Sequence, residues 1–340
     1  TIEKYGAESL RLYFMSSKIM VGEDLAISEE DIREQSRLLN VFHNSLKYFL
    51  TYAGVAAWQA GKESASKKTV LDLWIEARLE EAIKEYVEGL DKFDFQVSTK
   101  AIRPFIEDLS TWYIRRSRDR FVEGDTSALG TLGKVLLRSA IAFAPTLPFT
   151  SEYFYSLLGG QKESVHLEDY PEVEISVLKQ GKETIQVMRT VREVASVAHM
   201  QRAEAKMPLR QPLPSLTVAG SPELAKREDL IEVLRDEVNV ERVEFGKATK
   251  IDTELTPELI MEGRYRDLAR KLQEARKKAG LKVGEMASFQ YFTRDDDLRE
   301  LIEKYASDLA KTATLRSIEP VADSPDLTKL DGEELAYRFR

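Results

Sequence analysis

Four arginines, Arg115, Arg116, Arg118 and Arg120, stand within six residues of one another, with Trp112 and Tyr113 just before them and a single acid, Asp119, among them. From Trp112 to Arg120 the charge is four Arg minus one Asp, +3, in a chain whose net charge is −8. Guanidinium groups meet phosphates with forked hydrogen bonds and lie flat against bases. A basic, aromatic-bearing helix on an acidic protein therefore points to a polyanion, nucleic acid in the first instance. On the residues alone the alternative is a solvated polar face above an apolar stripe. Helical spacing puts Arg116 and Arg120 on one face and Arg115 and Arg118 on another, so the four do not all meet one ligand. One pair is expected to bridge acids such as Glu107, Asp108 or Asp119. Trp112 continues the stripe of Phe105 and Leu109 and is expected in the core.

Two further segments are basic. Arg264 to Lys282 holds eight Lys/Arg against two acids, a net +6, and Arg189 to Arg210 holds five against two, a net +3. Together the three favour a phosphate-binding surface over a catalytic pocket. Arg270, Lys271, Arg276, Lys277 and Lys278 are candidate contacts to a nucleic-acid backbone, with a solvated face as the plain alternative. Asn40, Asn44 and Lys47, on an earlier helix, are further candidates, because side-chain amides can read base edges.

Other chemistry is not supported. Gly61-Lys62 and Gly181-Lys182 are each followed by Glu, where a phosphate loop needs a hydroxyl for magnesium. The acid pairs and runs Glu23-Asp24 and Asp295-Asp296-Asp297 fall on loops or helix starts, where they are expected to cap helices rather than catalyse. Cysteine is absent and the three histidines, His43, His166 and His199, lie far apart in the chain, so neither a metal site nor a catalytic triad is expected. The lack of cysteine fits a cytoplasmic protein. No run of about 18 apolar residues is present to span a membrane.

These residues must be positioned by helices in the first half. Ser28-Glu29-Glu30-Asp31 opens one whose apolar face is Leu38, Leu39, Phe42, Leu46 and Phe49. After a polar loop from Gln59 to Lys68, Ile75, Leu79, Ile83, Val87 and Leu90 mark a second. Asp91-Lys92-Phe93-Asp94 turns the chain into a third, striped by Val97, Ala101, Phe105, Leu109 and Trp112 and bent at Pro104. Leu129, Leu132, Leu136 and Ile141 mark a fourth, and Phe149 to Leu158 a short fifth stopped by Gly159-Gly160. The expected fold is mainly α: an antiparallel helix bundle over residues 1–171, then a smaller α+β domain over residues 172–340. In the latter a long helix from Val177 to Ala205 precedes strands at Leu213–Val218, Val240–Phe245, Lys250–Leu255, Ala287–Thr293 and Leu315–Val321. Helices are expected at Glu223–Glu237, Pro257–Ala279 and Asp296–Thr312. The chain opens at Thr1 directly into an apolar helical pattern, which reads as a fragment or a processed product.

Six ordered motifs carry a resemblance. Lys4-Tyr5-Gly6-Ala7-Glu8-Ser9-Leu10-Arg11 resembles the segment after the KMSKS loop of class I aminoacyl-tRNA synthetases. Gly22-Glu23-Asp24-Leu25 resembles the next stretch of those enzymes. Trp112-Tyr113-Ile114-Arg115-Arg116-Ser117-Arg118 resembles the anticodon-domain helix of the isoleucyl branch. Ser164-Val165-His166-Leu167 with Tyr170-Pro171, then Arg210-Gln211-Pro212-Leu213, then Asp252-Thr253-Glu254-Leu255-Thr256-Pro257-Glu258-Leu259 come in that family's order. Tyr170 stands where Trp is usual. Lys206-Met207-Pro208-Leu209 replaces a Gly-containing segment. No Cys cluster for the zinc of some bacterial members, no His-x-Gly-His and no KMSKS sequence occurs. The resemblance implies a class I anticodon-binding bundle and a C-terminal junction domain without catalytic or editing domains. It implies a monomer that holds an isoleucine-accepting tRNA through Arg115, Arg116, Arg118, Arg120, Asn40, Asn44, Lys47, Arg270, Lys271 and Lys277. It implies no catalytic residue and no cofactor in this chain, the ATP and magnesium belonging to the parent enzyme's catalytic domain. Valyl or leucyl relatives, and a helical protein-interaction module, are the competing readings.

Overall fold

The computed structural model describes residues 2–59, 61, 68–282 and 284–340. Most of the loop expected between Gln59 and Lys68, with Lys62 and Glu63 of the Gly-Lys-Glu triplet, lies outside the described residues. The chain divides into two compact units, Thr1–Met188 and Arg189–Arg340.

The first unit is a helix bundle. Short helices α1 (Ile2–Tyr5) and α2 (Ala7–Ser16) lead to α3 (Glu29–Val55), α4 (Val70–Asp91) and α5 (Phe95–Glu107). A π-helical stretch, Asp108–Ile114, then runs into α6 (Arg118–Val122), followed by α7 (Thr126–Phe143), α8 (Pro148–Leu157) and the start of α9 (Ile175–Glu204). The caps explain the starts. The Ser28 hydroxyl accepts the Asp31 N–H ahead of α3, and Thr69 and Asp72 form a reciprocal capping box at α4. Asp94 caps α5, and Asp125 caps α7 by accepting from Ser127 and Ala128. The expected stripes are buried where the period predicts: Leu38, Leu39, Phe42, Leu46 and Phe49 on α3, Ile75, Leu79 and Ile83 on α4, and Leu129, Leu132 and Leu136 on α7. α2 packs on α3 and α5, α4 on α5 and α7, and α7 on α8. Gly159, at φ +79°, takes the left-handed conformation that stops α8.

The second unit is α+β with two small sheets. In the first, β1 (Leu213–Ala219) lies between β2 (Val240–Gly246), which is parallel to it, and β3 (Lys250–Ile251), which is antiparallel, with α10 (Glu228–Val238) packed on β2. The helix α11 (Pro257–Lys278) starts at Thr256, whose hydroxyl accepts the Leu259 N–H, with Pro257 at its first position. The second sheet runs β5-β4-β7-β6, from β4 (Ala287–Thr293), β5 (Leu315–Pro320), β6 (Thr328–Lys329) and β7 (Leu335–Phe339). β4 and β5 are parallel and the other pairs antiparallel, in register Phe289↔Ile318 and Tyr291↔Tyr337. Leu268 and Leu272 of α11 pack on Phe289, Tyr291 and Tyr337, with helices α12 (Asp296–Lys304) and α13 (Ala306–Thr312) completing the core.

Four expectations are corrected. The strand over Lys250–Leu255 stops at Ile251, because the Asp252 carboxylate accepts the Glu254 N–H and turns the chain. The helix over Asp296–Thr312 is two, broken at Tyr305. The helix expected from Glu223 begins as a single 3₁₀ turn at Leu224–Lys226 and turns α-helical at Glu228. Strands β6 and β7 come in addition to the five expected, although Leu335 and Tyr337 alternate inward with Ala336 and Arg338.

A candidate nucleic-acid interface on the helix bundle

The arginine segment is not one regular helix. α5 passes through Pro104 and widens at Asp108–Ile114, where π-type i→i+5 bonding adds a residue to the turn. That extra residue moves the apolar stripe: Phe105, Ile106, Leu109, Tyr113 and Ile114 are buried. Trp112, expected in the core, is half-buried instead, and Tyr113 takes its place. The backbone then turns at Ser117 before the five residues of α6. Phe121 pins α6 into the bundle, with Tyr48 edge-on at 5.5 Å and Tyr113 at 6.1 Å.

The arginines separate by exposure as their spacing implies. Arg115 and Arg118 are exposed, while Arg116 and Arg120 are half-buried. Arg115 donates from Nε to the Thr111 carbonyl at 2.7 Å, which lays its side chain back along the helix. Arg118 makes no ion pair among the described residues, and its charge bears on the Tyr48 phenol, which burial pushes upward in pKa and Arg118 draws back.

Arg120 faces the other way. Its Nη1 pairs with Asp72 at 2.9 Å and donates to Thr69 Oγ1 at 3.1 Å, and its Nε donates to Asp125 Oδ2 at 2.8 Å. Asp72 is fully buried and also accepts the Tyr113 hydroxyl at 2.7 Å and the Thr69 N–H at 2.8 Å. Burial pushes the Asp125 carboxyl up; Arg120 and the N–H groups of Ala128 and Ser127 overcome that and hold it below the usual carboxylate range. Removing one member of such a buried pair strands the other's charge, at a cost of about 3–5 kcal/mol. Arg120, a candidate contact on sequence grounds, has its guanidinium engaged within the fold. The acids it meets are Asp72 and Asp125, not the expected Glu107, Asp108 or Asp119.

Asn40, Asn44 and Lys47 are all exposed on α3. Asn44 lies one turn before Tyr48, on the row that meets α6, and Asn40 and Lys47 lie further round on the outward face. The contact of Tyr48 with Phe121 thus brings this face of α3 beside Arg118. No sequence argument links the two, because the contact spans more than 70 residues.

On α11 the picture differs. Arg270 is paired with Asp267 at 3.2 Å and with Glu274. Lys271 is paired with Glu333 at 2.6 Å and Asp267 at 3.3 Å, and Lys278 with Asp331 at 2.7 Å. Arg276 is buried, donating to the carbonyls of Thr314 and Glu285. Lys277 is exposed with no ion pair among the described residues. In the Arg189–Arg210 segment Arg202 is also consumed. It is 1% exposed and donates to the carbonyls of Val238, Pro208, Gln211 and Asn239, and burial, with Arg266 adding, pushes its guanidinium down to about 10.

Among the described residues no group of three or more His, Asp or Glu is placed to hold a metal ion, and no helix is long and apolar enough to cross a membrane. His43 Nδ1 meets the Leu39 carbonyl at 2.8 Å, and His199 meets Glu237 at 3.2 Å.

Comparison with known proteins bears on the same bundle. Residues 72–217 match the family described as the anticodon-binding domain of tRNA ligase. The isoleucine--tRNA ligase of Chlamydia trachomatis serovar L2 is 33% identical over 73% of this chain and 25% of its own length. That of Leifsonia xyli subsp. xyli is 28% identical over 97% of this chain and 36% of its own. The solved ternary complex of Agrobacterium radiobacter K84 agnB2 LeuRS with tRNA and LeuAMS is 19% identical over 52% of this chain and 21% of that one, with a TM-score of 0.37, a likeness too slight to argue from. The chain spans about a quarter of the length of the first of these relatives. Residues 72–217, which include the segment carrying Arg115 and Arg118, are thus an anticodon-binding domain of the tRNA-ligase kind.

Proposed function

We propose that this chain is the tRNA-holding part of an isoleucine-tRNA ligase. The outward side of the Arg115–Arg118 segment and the adjoining face of α3 grip an isoleucine-accepting tRNA. Arg115, Arg116 and Arg118 meet phosphates or stack on unpaired bases of the anticodon loop, and Asn40, Asn44 and Lys47 add base-edge and phosphate contacts. Attachment of isoleucine with ATP and magnesium is assigned to the part of the relatives that this chain does not span; its own sequence has neither nucleotide-binding signature of that chemistry. In this reading the protein works in the cytoplasm as a monomer. The observation that carries the proposal is Arg118, exposed, without an ion pair among the described residues, and near Tyr48 of α3, one turn from Asn44, in a domain of the anticodon-binding family. Lys277 on α11 is a secondary contact. Arg270 and Lys271, both engaged in ion pairs, reach RNA only by exchanging those partners.

The test is binding of purified isoleucine-, valine- and leucine-accepting tRNAs to the chain at low salt. The isoleucine-accepting tRNA is expected to bind tightest. Equal affinity for all three would remove the specificity, and no binding at all would remove the RNA role.

A further inference from the structure

Tyr113 and Arg120 stand on either side of the RNA-facing arginines, and both end on the same carboxylate. Tyr113 precedes Arg115 by two residues and donates to Asp72 Oδ1 at 2.7 Å. Arg120 comes two residues after Arg118 and reaches both oxygens of Asp72, at 3.0 and 2.9 Å. Asp72 is itself fixed. It is fully buried in the first turn of α4, where its Oδ2 accepts the Thr69 N–H at 2.8 Å and the Thr69 hydroxyl at 2.9 Å. A second tie runs to α7, where Asp125 accepts Arg120 Nε with Oδ2 and the N–H groups of Ser127 and Ala128 with Oδ1.

Between these anchors Ile114 and Ser117 are buried and Arg115 bonds back to the Thr111 carbonyl, but the backbone is irregular. The π-helical stretch gives way to a turn at Ser117, whose side chain makes no cap bond, and α6 is five residues long. A helix that short does not persist on its own hydrogen bonds. Phe121 fixes its inner side in the core. The Asp72 and Asp125 ties add a polar clamp at both ends of the stretch that displays Arg115 and Arg118.

We propose that Arg120, Tyr113 and Asp72 form a positioning bracket that presents Arg115 and Arg118 to RNA in one preset arrangement without themselves touching it. The inference rests on the RNA-holding reading above. Tyr113 is fully buried and cannot reach a ligand, so any effect of its hydroxyl on binding passes through its neighbours. Arg120 spends both its Nε and its Nη1 on acids, and its exposed remainder faces no described acceptor.

The experiment uses the full chain and an isoleucine-accepting tRNA, well below the melting temperature of every variant. Tyr113→Phe keeps the ring and removes the hydroxyl; Arg120→Gln keeps a planar donor and removes the charge. Each is expected to weaken binding about fivefold, the factor carried by one hydrogen bond's worth of preorganisation. In a background already lacking Arg115 and Arg118 (both →Ala), Tyr113→Phe is expected to have no further effect, because the groups it positions are gone. Hydrogen exchange in the free Tyr113→Phe protein is expected to rise at residues 115–122 and not elsewhere in the bundle. Wild-type affinity in Tyr113→Phe and Arg120→Gln would make the bracket a matter of stability alone. An Arg120→Gln loss that persists in the double-alanine background would make Arg120 a direct RNA contact. Either result overturns the inference while leaving the RNA role standing; a wild-type chain that binds no tRNA takes down both.

Discussion

Arg115–Arg120 and α11 are both basic runs, and the fold treats them in opposite ways. On α11 the acids arrive from two sources. Asp267 and Glu274 lie on the helix itself, and Asp331 and Glu333 come from the turn between β6 and β7, some 60 residues further along the chain. Arg276 is withdrawn into the core. In the arginine segment of the bundle, Arg120 is turned to the buried Asp72 and to Asp125, while Arg118 faces outward on a short helix. A net charge counted along a segment thus overstates what the surface displays whenever distant acids fold back onto it. The Arg264–Lys282 segment has the larger count, +6 against +3, yet Arg266, Arg270, Lys271 and Lys278 are paired with acids and Arg276 is buried.

The contrast can be broken at several points. The largest effect belongs to the inward charge. Arg120→Met leaves Asp72 buried without its cation and is expected to destabilise the first unit by about 3–5 kcal/mol, less a discount for the partial exposure of Arg120. Thermal melting followed by circular dichroism measures it; a loss under about 1 kcal/mol would mean the carboxylate finds another partner. Next comes the outward pair. Arg115→Ala with Arg118→Ala is expected to cut tRNA affinity at least tenfold, two charge-assisted contacts being worth about 1.5–3 kcal/mol each before reorganisation, with the melting temperature unchanged. If affinity holds, this face is solvated surface. On α11, Lys277→Ala is expected to change affinity less than about twofold. Lys278→Ala, which breaks an exposed pair with Asp331, is expected to alter stability by no more than about 0.2–1 kcal/mol, as exposed ion pairs do. A larger loss of tRNA affinity from Lys277→Ala than from the bundle pair would invert the comparison.

Acidity separates the regions more gently. The Asp125 carboxyl is depressed in the folded protein, so its contribution is fully present above its unfolded pKa of about 3.8 and is lost as pH falls through the lower folded value. Melting of the wild type is therefore expected to be flat from neutral pH to about 5 as far as this group goes, and to fall below about 4. Asp125→Asn removes that part of the acid sensitivity, keeps the cap, and gives up the ion pair with Arg120 at neutral pH. An acid transition of unchanged steepness in Asp125→Asn would place the sensitivity elsewhere.

Much of this is legible in the order of residues alone. The stripes on α3, α4 and α7 and the caps at Ser28, Thr256 and Gly280 come from local rules, and the structure places them accordingly. The features that escape such rules are set by irregular backbone or by partners far away. The π-helical stretch shifts the buried aromatic from Trp112 to Tyr113, which a period of 3.6 does not foresee. The bracket is hidden because Asp72 meets Tyr113 and Arg120 across 41 and 48 residues, although Thr69-Val70-Leu71-Asp72 already has the form of a capping box. Arg202 counts as surface charge in a segment sum, yet it closes the C-terminal end of α10 and the Pro208–Gln211 turn by binding four carbonyls, a role no spacing announces. β7 carries its alternating signal plainly, but over only five residues, too few to stand out from a connecting loop.

The most direct measurement is the salt dependence of tRNA binding by the wild type, Arg118→Ala and Lys277→Ala side by side. Each phosphate contact to single-stranded RNA contributes about −0.7 to the slope of log K against log salt. Arg118→Ala should make the slope shallower by about that amount, and Lys277→Ala should change it less. A slope untouched by Arg118→Ala but reduced by Lys277→Ala would contradict the account, placing the grip on α11 and leaving the bundle arginines as surface.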